Sequence, residues 1–252
     1  MFFDTHAHYD DHAFDDDRNE LICSLSASSV AFVINPGCDI ESSLKARELS
    51  HNYDFMYFAA GIHPEELKNL QDNALEVIED IAKDNKCVAI GEIGLDYYWD
   101  SSNKEEQKNI FKAQMNLAEK LCKPVIIHDR EAHGDSFEII NEYTNVRGVF
   151  HCYSGSAEMA VDLLKRGYYL GFDGPVTYKN NKKSVEVLKL CPLNRILIET
   201  DSPYLSPVPR RGKRNDSRNL IYVAEKIAEI KNLSVEEIED ITLNNAREFF
   251  AL

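Results

Sequence analysis

Near the start of the chain, behind the apolar Met1-Phe2-Phe3, stands Asp4-Thr5-His6-Ala7-His8. Alternate residues of an extended segment point the same way, so His6 and His8 present two imidazoles on one side. A neutral imidazole offers one ring-nitrogen lone pair and is the commonest nitrogen ligand for zinc and similar ions. Taken alone, the pair fits a polar surface turn as well as a metal site, because Tyr9-Asp10-Asp11-His12 follows. Further along, His63, Glu92, His128, His151, Glu199 and Asp201 each stand at the end of a short apolar run. Four histidines and two carboxylates exceed what one tetrahedral ion takes. His6, His8, Glu92, His128, His151 and Asp201 therefore suit two divalent ions that share a carboxylate. Two ions roughly 3.5–4 Å apart can activate a water and stabilise a displaced oxygen. Glu92 is the natural bridge, since its run lies between the ends of the series, and Asp201 is the candidate to ligate an ion and accept the water's proton. Mixed imidazole and carboxylate donors suit zinc, manganese or iron better than an all-oxygen magnesium site, although magnesium in excess can occupy such sites. His12 and His51 are expected on the surface, and His133 is given no role.

The elements that must position these groups are short apolar runs alternating with longer amphipathic ones. Strands are expected at Phe2 to Thr5, Val30 to Asn35, Phe55 to Gly61, Cys87 to Glu92, Pro124 to His128, Gly148 to His151, Tyr168 to Phe172 and Arg195 to Glu199. Between them, Leu75, Ile78 and Ile81-Ala82 outline one helix face. Ile110, Gln114, Leu117 and Leu121 outline another, and Ala157, Val161 and Leu164-Lys165 a third. Eight strand–helix units imply a parallel sheet of the (β/α)8 TIM-barrel class, with function at the C-terminal strand ends. A doubly wound open sheet is the competitor, and the lack of Gly-x-Gly-x-x-Gly after the first strand counts against its dinucleotide-binding version. Residues 1–252 are expected to form a single domain. After the eighth strand the proline-rich Ser202 to Pro209 runs into Arg210-Arg211-Gly212-Lys213-Arg214-Asn215, the most basic stretch of the chain. The last helices are expected at Leu220 to Lys231 and at Val235 to Ile241 behind the N-cap Ser234, and Asn244 to Phe250 is expected to close the barrel's outer wall.

Composition bounds the remaining choices. The 252 residues can bury a sizeable core, and the 44% hydrophobic fraction is that of a globular protein. No apolar run approaches a membrane span, and no basic n-region precedes Asp4 and His6. The six cysteines are far apart with no Cys-x-x-Cys, so neither a disulfide framework nor a zinc ribbon is indicated, and a reducing cytoplasm is expected. A formal charge of −15 argues, by itself, against binding a polyanion.

The motifs Phe3-Asp4-Thr5-His6-Ala7-His8, Gly61-Ile62-His63-Pro64 and Gly91-Glu92-Ile93-Gly94-Leu95-Asp96-Tyr97 resemble the TatD family of metal-dependent deoxyribonucleases. So do Pro124 to Ala132, His151-Cys152-Tyr153-Ser154-Gly155 and Glu199-Thr200-Asp201-Ser202-Pro203-Tyr204-Leu205, which together span essentially the whole chain. The resemblance implies a TIM barrel of the amidohydrolase type with two divalent ions. It places His6, His8, Glu92 and Asp201 on one ion, and Glu92, His128 and His151 on the other. It also implies hydrolysis of phosphodiesters in DNA, often as a 3′–5′ exonuclease, with His63 and Arg130 near the scissile phosphate. The alternatives are His63 as a hydrogen-bond donor behind the ligands and Arg130 as an ion-pair partner of Glu131 or Asp135. Two positions depart from the family pattern. Asn215 is followed by Asp216-Ser217 where proline is common, which leaves the path of the loop open, and Tyr153 replaces the usual phenylalanine.

The charge objection is local rather than global. The acids concentrate on segments expected as outer helices, such as Glu76-Glu79-Asp80 and Glu236-Glu237-Glu239-Asp240, while Arg210, Arg211, Lys213 and Arg214 fall beside the expected mouth of the barrel. Exposed charges beyond a Debye length of roughly 8 Å are screened. DNA single strands or ends are thus the expected substrate, with Arg211, Lys213 and Arg214 as candidate contacts, and no membrane or obligate protein partner is expected. A metal-dependent ester hydrolase on the same scaffold, acting on a small molecule or a tRNA-linked ester, is the alternative. Related barrels acting on small amides or esters often carry a carboxylated lysine where this chain has Glu92, which favours the nuclease.

Overall fold

The structure, a computed structural model, describes the backbone of residues 1–252 and every side chain except that of Asn69. In chain order it contains β1 (Phe2–Asp4), α1 (Arg18–Leu25), β2 (Val30–Pro36), α2 (Ile40–Asn52), β3 (Met56–Ala60), α3 (Ala74–Ala82), β4 (Cys87–Asp96) and α4 (Lys104–Leu121). There follow β5 (Val125–Arg130), α5 (His133–Asn141), β6 (Gly148–Phe150), α6 (Ala157–Lys165), β7 (Tyr169–Phe172), α7 (Lys182–Leu190), β8 (Ile196–Ile198), α8 (Leu220–Lys231) and α9 (Val235–Phe250). The strands follow one another in chain order, β1 to β8, and the described ladders are parallel. This is the topology of a (β/α)8 barrel. The chain divides into two compact units, residues 1–35 with 152–252, and residues 36–151.

In the first unit β1 pairs with β2 and β7 with β8. The first and last strands also meet. Thr5 N–H donates to Ile198 O at 3.2 Å, and past the strand ends Asp201 N–H donates to His6 O at 2.9 Å and His8 N–H to Ser202 O at 2.7 Å. α9 lies over this seam. Phe250 sits 6.0 Å from the Phe3 ring, Phe249 sits 4.9 Å from Tyr169, and the Asn245 amide donates to Leu193 O and Ile196 O. The sequence pattern ends the helix at Ile241, and the structure carries it on to Phe250. Thr242 and Asn245 are buried on the packed face, where the Thr242 hydroxyl returns to Ile238 O at 2.8 Å. Ser234 begins α9 with a capping box, its hydroxyl accepting from Glu237 N–H while the Glu237 carboxylate accepts from Ser234 N–H.

In the second unit β3, β4, β5 and β6 pair in turn. β4 runs four residues beyond the expected Glu92, to Asp96, and is buried throughout, because Gly94, Leu95 and Asp96 continue its ladder against His128, Asp129 and Arg130. Gly94 takes φ 142° at the closest approach of the two strands; a Cβ there would lie 1.9 Å from His128 O, which no side chain permits.

Two helix faces differ from their sequence patterns. On α4 the buried stripe is Gln107, Phe111, Gln114, Met115 and Ala118 with Leu117, rather than a line through Ile110. On α6 Ala160 and Leu163 are buried while Val161 is exposed. The α4 stripe has a physical reason to carry two glutamines. Gln114 Nε2 donates to Ile62 O at 3.0 Å and its Oε1 accepts from Ile62 N–H at 2.7 Å. Seven residues earlier, two turns along the same face, Gln107 makes the same paired contact with the Asp96 backbone at 2.9 Å in both directions. Each amide thus satisfies one backbone donor and one acceptor, of Ile62 just past β3 and of Asp96 at the end of β4. Gln114→Leu leaves both Ile62 groups buried without partners, each costing about 1–3 kcal/mol. Urea unfolding followed by circular dichroism is expected to show a loss of at least about 2 kcal/mol, and an unchanged midpoint contradicts the role.

Candidate metal centre

Each unit gathers donors at the C-terminal ends of its strands. In the first unit the chain leaves β1 still extended, with Ala7 N–H donating to Ile34 O at 3.0 Å and Ala7 bridging Ser202. That keeps the segment extended, with Ala7 on one side and His6 and His8 on the other, all three buried. Their Nε2 atoms lie 3.0 Å apart, and Asp201 Oδ1 is 3.7 Å from His6 Nε2 and 3.5 Å from His8 Nε2. Two nitrogens each about 2.0–2.1 Å from a shared ion, at roughly a right angle, have this spacing. Asp201 is in the left-handed region at φ 54°, a conformation aspartate tolerates better than most residues, and Tyr204 N–H donates to its carbonyl at 2.8 Å.

Beneath this set lies a buried hydrogen-bonded layer. Asp4 Oδ2 accepts from the Thr200 hydroxyl at 2.6 Å and Oδ1 from Thr200 N–H at 2.9 Å, while Ser202 Oγ donates to Thr200 Oγ1 at 2.7 Å. Burial pushes the Asp4 carboxyl up to about 7 against the pull of its hydrogen bonds. Glu199, named in the sequence with Asp201, belongs to this layer: it is 1% exposed, with Oε1 accepting from Cys152 N–H at 2.5 Å and Oε2 from Thr5 Oγ1 at 3.2 Å.

In the second unit three imidazoles face one carboxylate oxygen. Glu92 Oε1 lies 2.8 Å from His151 Nε2, 3.0 Å from His128 Nδ1 and 3.5 Å from His63 Nε2, and His128 Nδ1 is 3.2 Å from His151 Nε2. The tautomers follow from the outer nitrogens. Asp96 Oδ2 is 2.9 Å from His128 Nε2, so that nitrogen carries the proton and Nδ1 is left with the lone pair. Asp96 is fully buried, and burial would raise its pKa, yet the bonds from His128 and from the Trp99 and Tyr98 backbone hold it below the usual carboxylate range. For His63 the order is reversed. Nδ1 accepts from Glu65 N–H at 3.3 Å, so the proton sits on Nε2, which faces Glu92 as a donor. His63 thus turns its Nε2–H toward Glu92, 3.5 Å away, beside the ligand set.

An ionised Glu92 oxygen 3.0 Å from the His128 Nδ1 lone pair needs positive charge between them, and His151 Nε2 lies 2.8 Å from the same oxygen. A proton can supply it. Burial works against a charged His128, but the Asp96 and Glu92 carboxylates outweigh it and hold the His128 pKa above the imidazole value of 6.5. A divalent ion supplies it better, and the donor types, two imidazoles and a carboxylate with an outer carboxylate orienting one ring, are those of a metal site. His6, His8 and Asp201 form a second group with metal-ligating atoms close together.

The remaining predicted residues are spread around these sets. Arg130 ion-pairs with neither Glu131 nor Asp135 among the described contacts; its guanidinium lies 4.0 Å from the centre of the Tyr98 ring and 5.4 Å from Trp99. Arg211 covers the Tyr178 ring at 4.4 Å, and Lys213 is exposed. Arg214 pairs its two terminal nitrogens with both Asp17 oxygens at 2.7 and 2.6 Å, and one also reaches Ala13 O, which ties the loop to the segment before α1. The loop's path, left open by the Asp216-Ser217 departure, is set by Asn215, whose buried amide donates to Thr200 O and Tyr204 O. His12 is exposed and His51 pairs with Asp84 at 2.9 Å, both away from the donor sets. The residue the sequence reading passed over is Asp96; its signal was present as the last member of Gly91 to Asp96, a buried acid in an apolar run.

Among the described residues no helix is long and apolar enough to cross a membrane, and no disulfide joins the cysteines. Comparison with known proteins agrees with the site. The family model "TatD related DNase" matches residues 3–251. The metal-dependent hydrolase YabD of Bacillus subtilis, itself uncharacterised, is 44% identical over 254 residues, covering 100% of both chains. YcfH of Escherichia coli K12, likewise an uncharacterised metal-dependent hydrolase, is 34% identical and covers 98% of this chain and 94% of its own. The crystal structure of YjjV, a TatD homologue of Escherichia coli K12, matches with a TM-score of 0.94 at 30% identity, over 100% of this chain and 98% of the other. The chain belongs to the TatD family of metal-dependent hydrolases, on a TIM-barrel fold.

Proposed function

We propose that this hydrolase is a deoxyribonuclease that cleaves DNA phosphodiester bonds, working from 3′ to 5′ on single strands or ends. The observation that carries the reading is the triangle of Glu92 Oε1, His128 Nδ1 and His151 Nε2, with edges of 2.8, 3.0 and 3.2 Å, in a chain of the TatD family. In this reading two divalent ions, magnesium, manganese or zinc, are the cofactors. His6, His8 and Asp201 hold one, His128 and His151 the other, and Glu92 is the carboxylate they share, because these donors outnumber the needs of a single ion. Bound ions supply a lowered pKa for water and offset the charge gathering on a phosphoryl oxygen.

The chain's own groups do the rest. Asp201, held with its carboxylate beside the two imidazoles, takes the proton of the attacking water. With substrate bound, His63 would swing its Nε2–H from Glu92 to a phosphate oxygen, and Arg130, Arg211, Lys213 and Arg214 would supply positive charge along the strand. The acids of α3 and α9, with Glu76, Asp80, Glu236, Glu237 and Asp240 exposed, repel long duplex and leave single strands and ends as the better ligand. The reading needs no protein partner or membrane and suits a cytoplasmic protein.

A time course on end-labelled single-stranded DNA with manganese, beside a panel of small esters, tests it. Shortening from the 3′ end that chelation stops is expected. Chelator-sensitive ester cleavage with intact DNA favours the ester hydrolase instead. Glu92→Ala should abolish activity and lower bound metal while circular dichroism stays native; near wild-type turnover excludes the bridging role. Asp96→Asn removes the acceptor that fixes the His128 tautomer and is expected to weaken manganese binding roughly 10–100-fold. In the wild type, proton and ion compete for His128 Nδ1, whose pKa is raised above 6.5. Affinity should therefore fall as pH drops from about 8 to about 6, and a chelator-competition titration flat across that range contradicts the assignment.

A further inference from the structure

Directly after β4 the chain places two large aromatic side chains in solvent. Tyr98 is 57% and Trp99 63% exposed, and their rings meet edge to face with centroids 5.0 Å apart. Scattered exposed apolar residues need no explanation, but these two are adjacent, in contact and shared by one guanidinium, that of Arg130, at 4.0 and 5.4 Å. Arg130 arrives through the ladder: it is the register partner of Asp96, and Tyr97 N–H donates to its carbonyl at 2.9 Å.

The backbone beneath the pair is held by the residue that orients His128. Asp96 Oδ1 accepts from both Tyr98 N–H and Trp99 N–H at 2.9 Å, while Oδ2 holds His128 Nε2 at 2.9 Å. Gln107 in turn clamps the Asp96 backbone. The aromatic pair is therefore fixed in position relative to His128 through a single buried carboxylate. Exposed rings beside a cation are what an unpaired nucleobase flanked by phosphate requires: a π-face to stack on and a planar cation for the backbone.

We propose that Tyr98, Trp99 and Arg130 form a stacking platform for an unstacked nucleobase of a single strand, with the Arg130 guanidinium on an adjacent phosphate. The inference rests on the deoxyribonuclease reading and adds to it a subsite that recognises bases rather than charge. Paired bases in a duplex interior present no free face, so the platform selects frayed ends and single strands.

Trp99 is the chain's single tryptophan, so intrinsic fluorescence reports on this place directly. The probes are a phosphorothioate-linked oligothymidylate and an abasic strand of equal length, each titrated into the manganese-loaded protein. Fluorescence should change with the thymidylate strand and not with the abasic one, and the thymidylate strand should bind about tenfold tighter or more. In cleavage assays on ordinary phosphodiester versions of the two strands, Trp99→Ala should lose most of that discrimination, Trp99→Phe should keep it, and Arg130→Ala should weaken both strands alike. Equal fluorescence responses to the two strands overturn the platform. So does DNA cleavage in which Trp99→Ala discriminates as the wild type does, an outcome that leaves the deoxyribonuclease reading standing. A fluorescence change that follows protein concentration without any strand shows a second copy covering the rings and also overturns it. Discrimination by Trp99 fluorescence in a protein that cleaves no DNA supports the platform and removes the deoxyribonuclease reading alone.

Discussion

A carboxylate buried at 3% exposure with imidazole nitrogens at 2.8 and 3.0 Å is the constraint around which the second unit is arranged. Removing a charge from water costs several kcal/mol even after relaxation, and Glu92 recovers it only if something positive lies against Oε1. The neighbouring rings cannot rotate to supply it at will. His128 is held from behind by Asp96, and His63 by the Glu65 backbone. One ring therefore faces Glu92 with a lone pair and one with a proton. The asymmetry separates a ligand from a hydrogen-bond donor within a single cluster of like residues.

The supporting structure is polar where an ordinary core would be apolar. α4 presents Gln107 and Gln114 rather than leucines, because Asp96 at the end of β4 and Ile62 just past β3 each have a backbone N–H and C=O that these amides satisfy. Gly94 lets β4 close onto His128. In the first unit Asp4, Thr200, Ser202 and Asn215 form the corresponding layer, which ties the His6–His8 segment to the Asp201 turn. A buried carboxyl with a pKa of about 7 in that layer is a cost that an apolar residue would not carry. It persists where the backbone of Thr200 needs an acceptor. Precision at the two donor sets is thus set by hydrogen bonds one step away from them.

Much of this was legible beforehand. Eight strands were placed from apolar runs, because parallel strands buried on both faces are nearly continuous in hydrophobicity. Ser234 as an N-cap followed from its own chemistry, with Glu237 three residues on. What periodicity missed was polar burial. Gln107 and Asn245 look like surface in a binary pattern, and each is buried because a backbone group from another element claims it. The pairing of Arg214 with Asp17, nearly two hundred residues away, is likewise invisible in one dimension. Asp96 and the Tyr98–Trp99 pair were passed over for the same reason: their roles depend on β4 continuing past Glu92, which the apolar run alone did not show.

Anomalous diffraction from crystals grown with manganese tests the central claim most directly. The account predicts two peaks, one ligated by His6, His8 and Asp201 and one by His128 and His151, about 3.5–4 Å apart with Glu92 touching both. A single peak, or two peaks with Glu92 ligating neither, would contradict it.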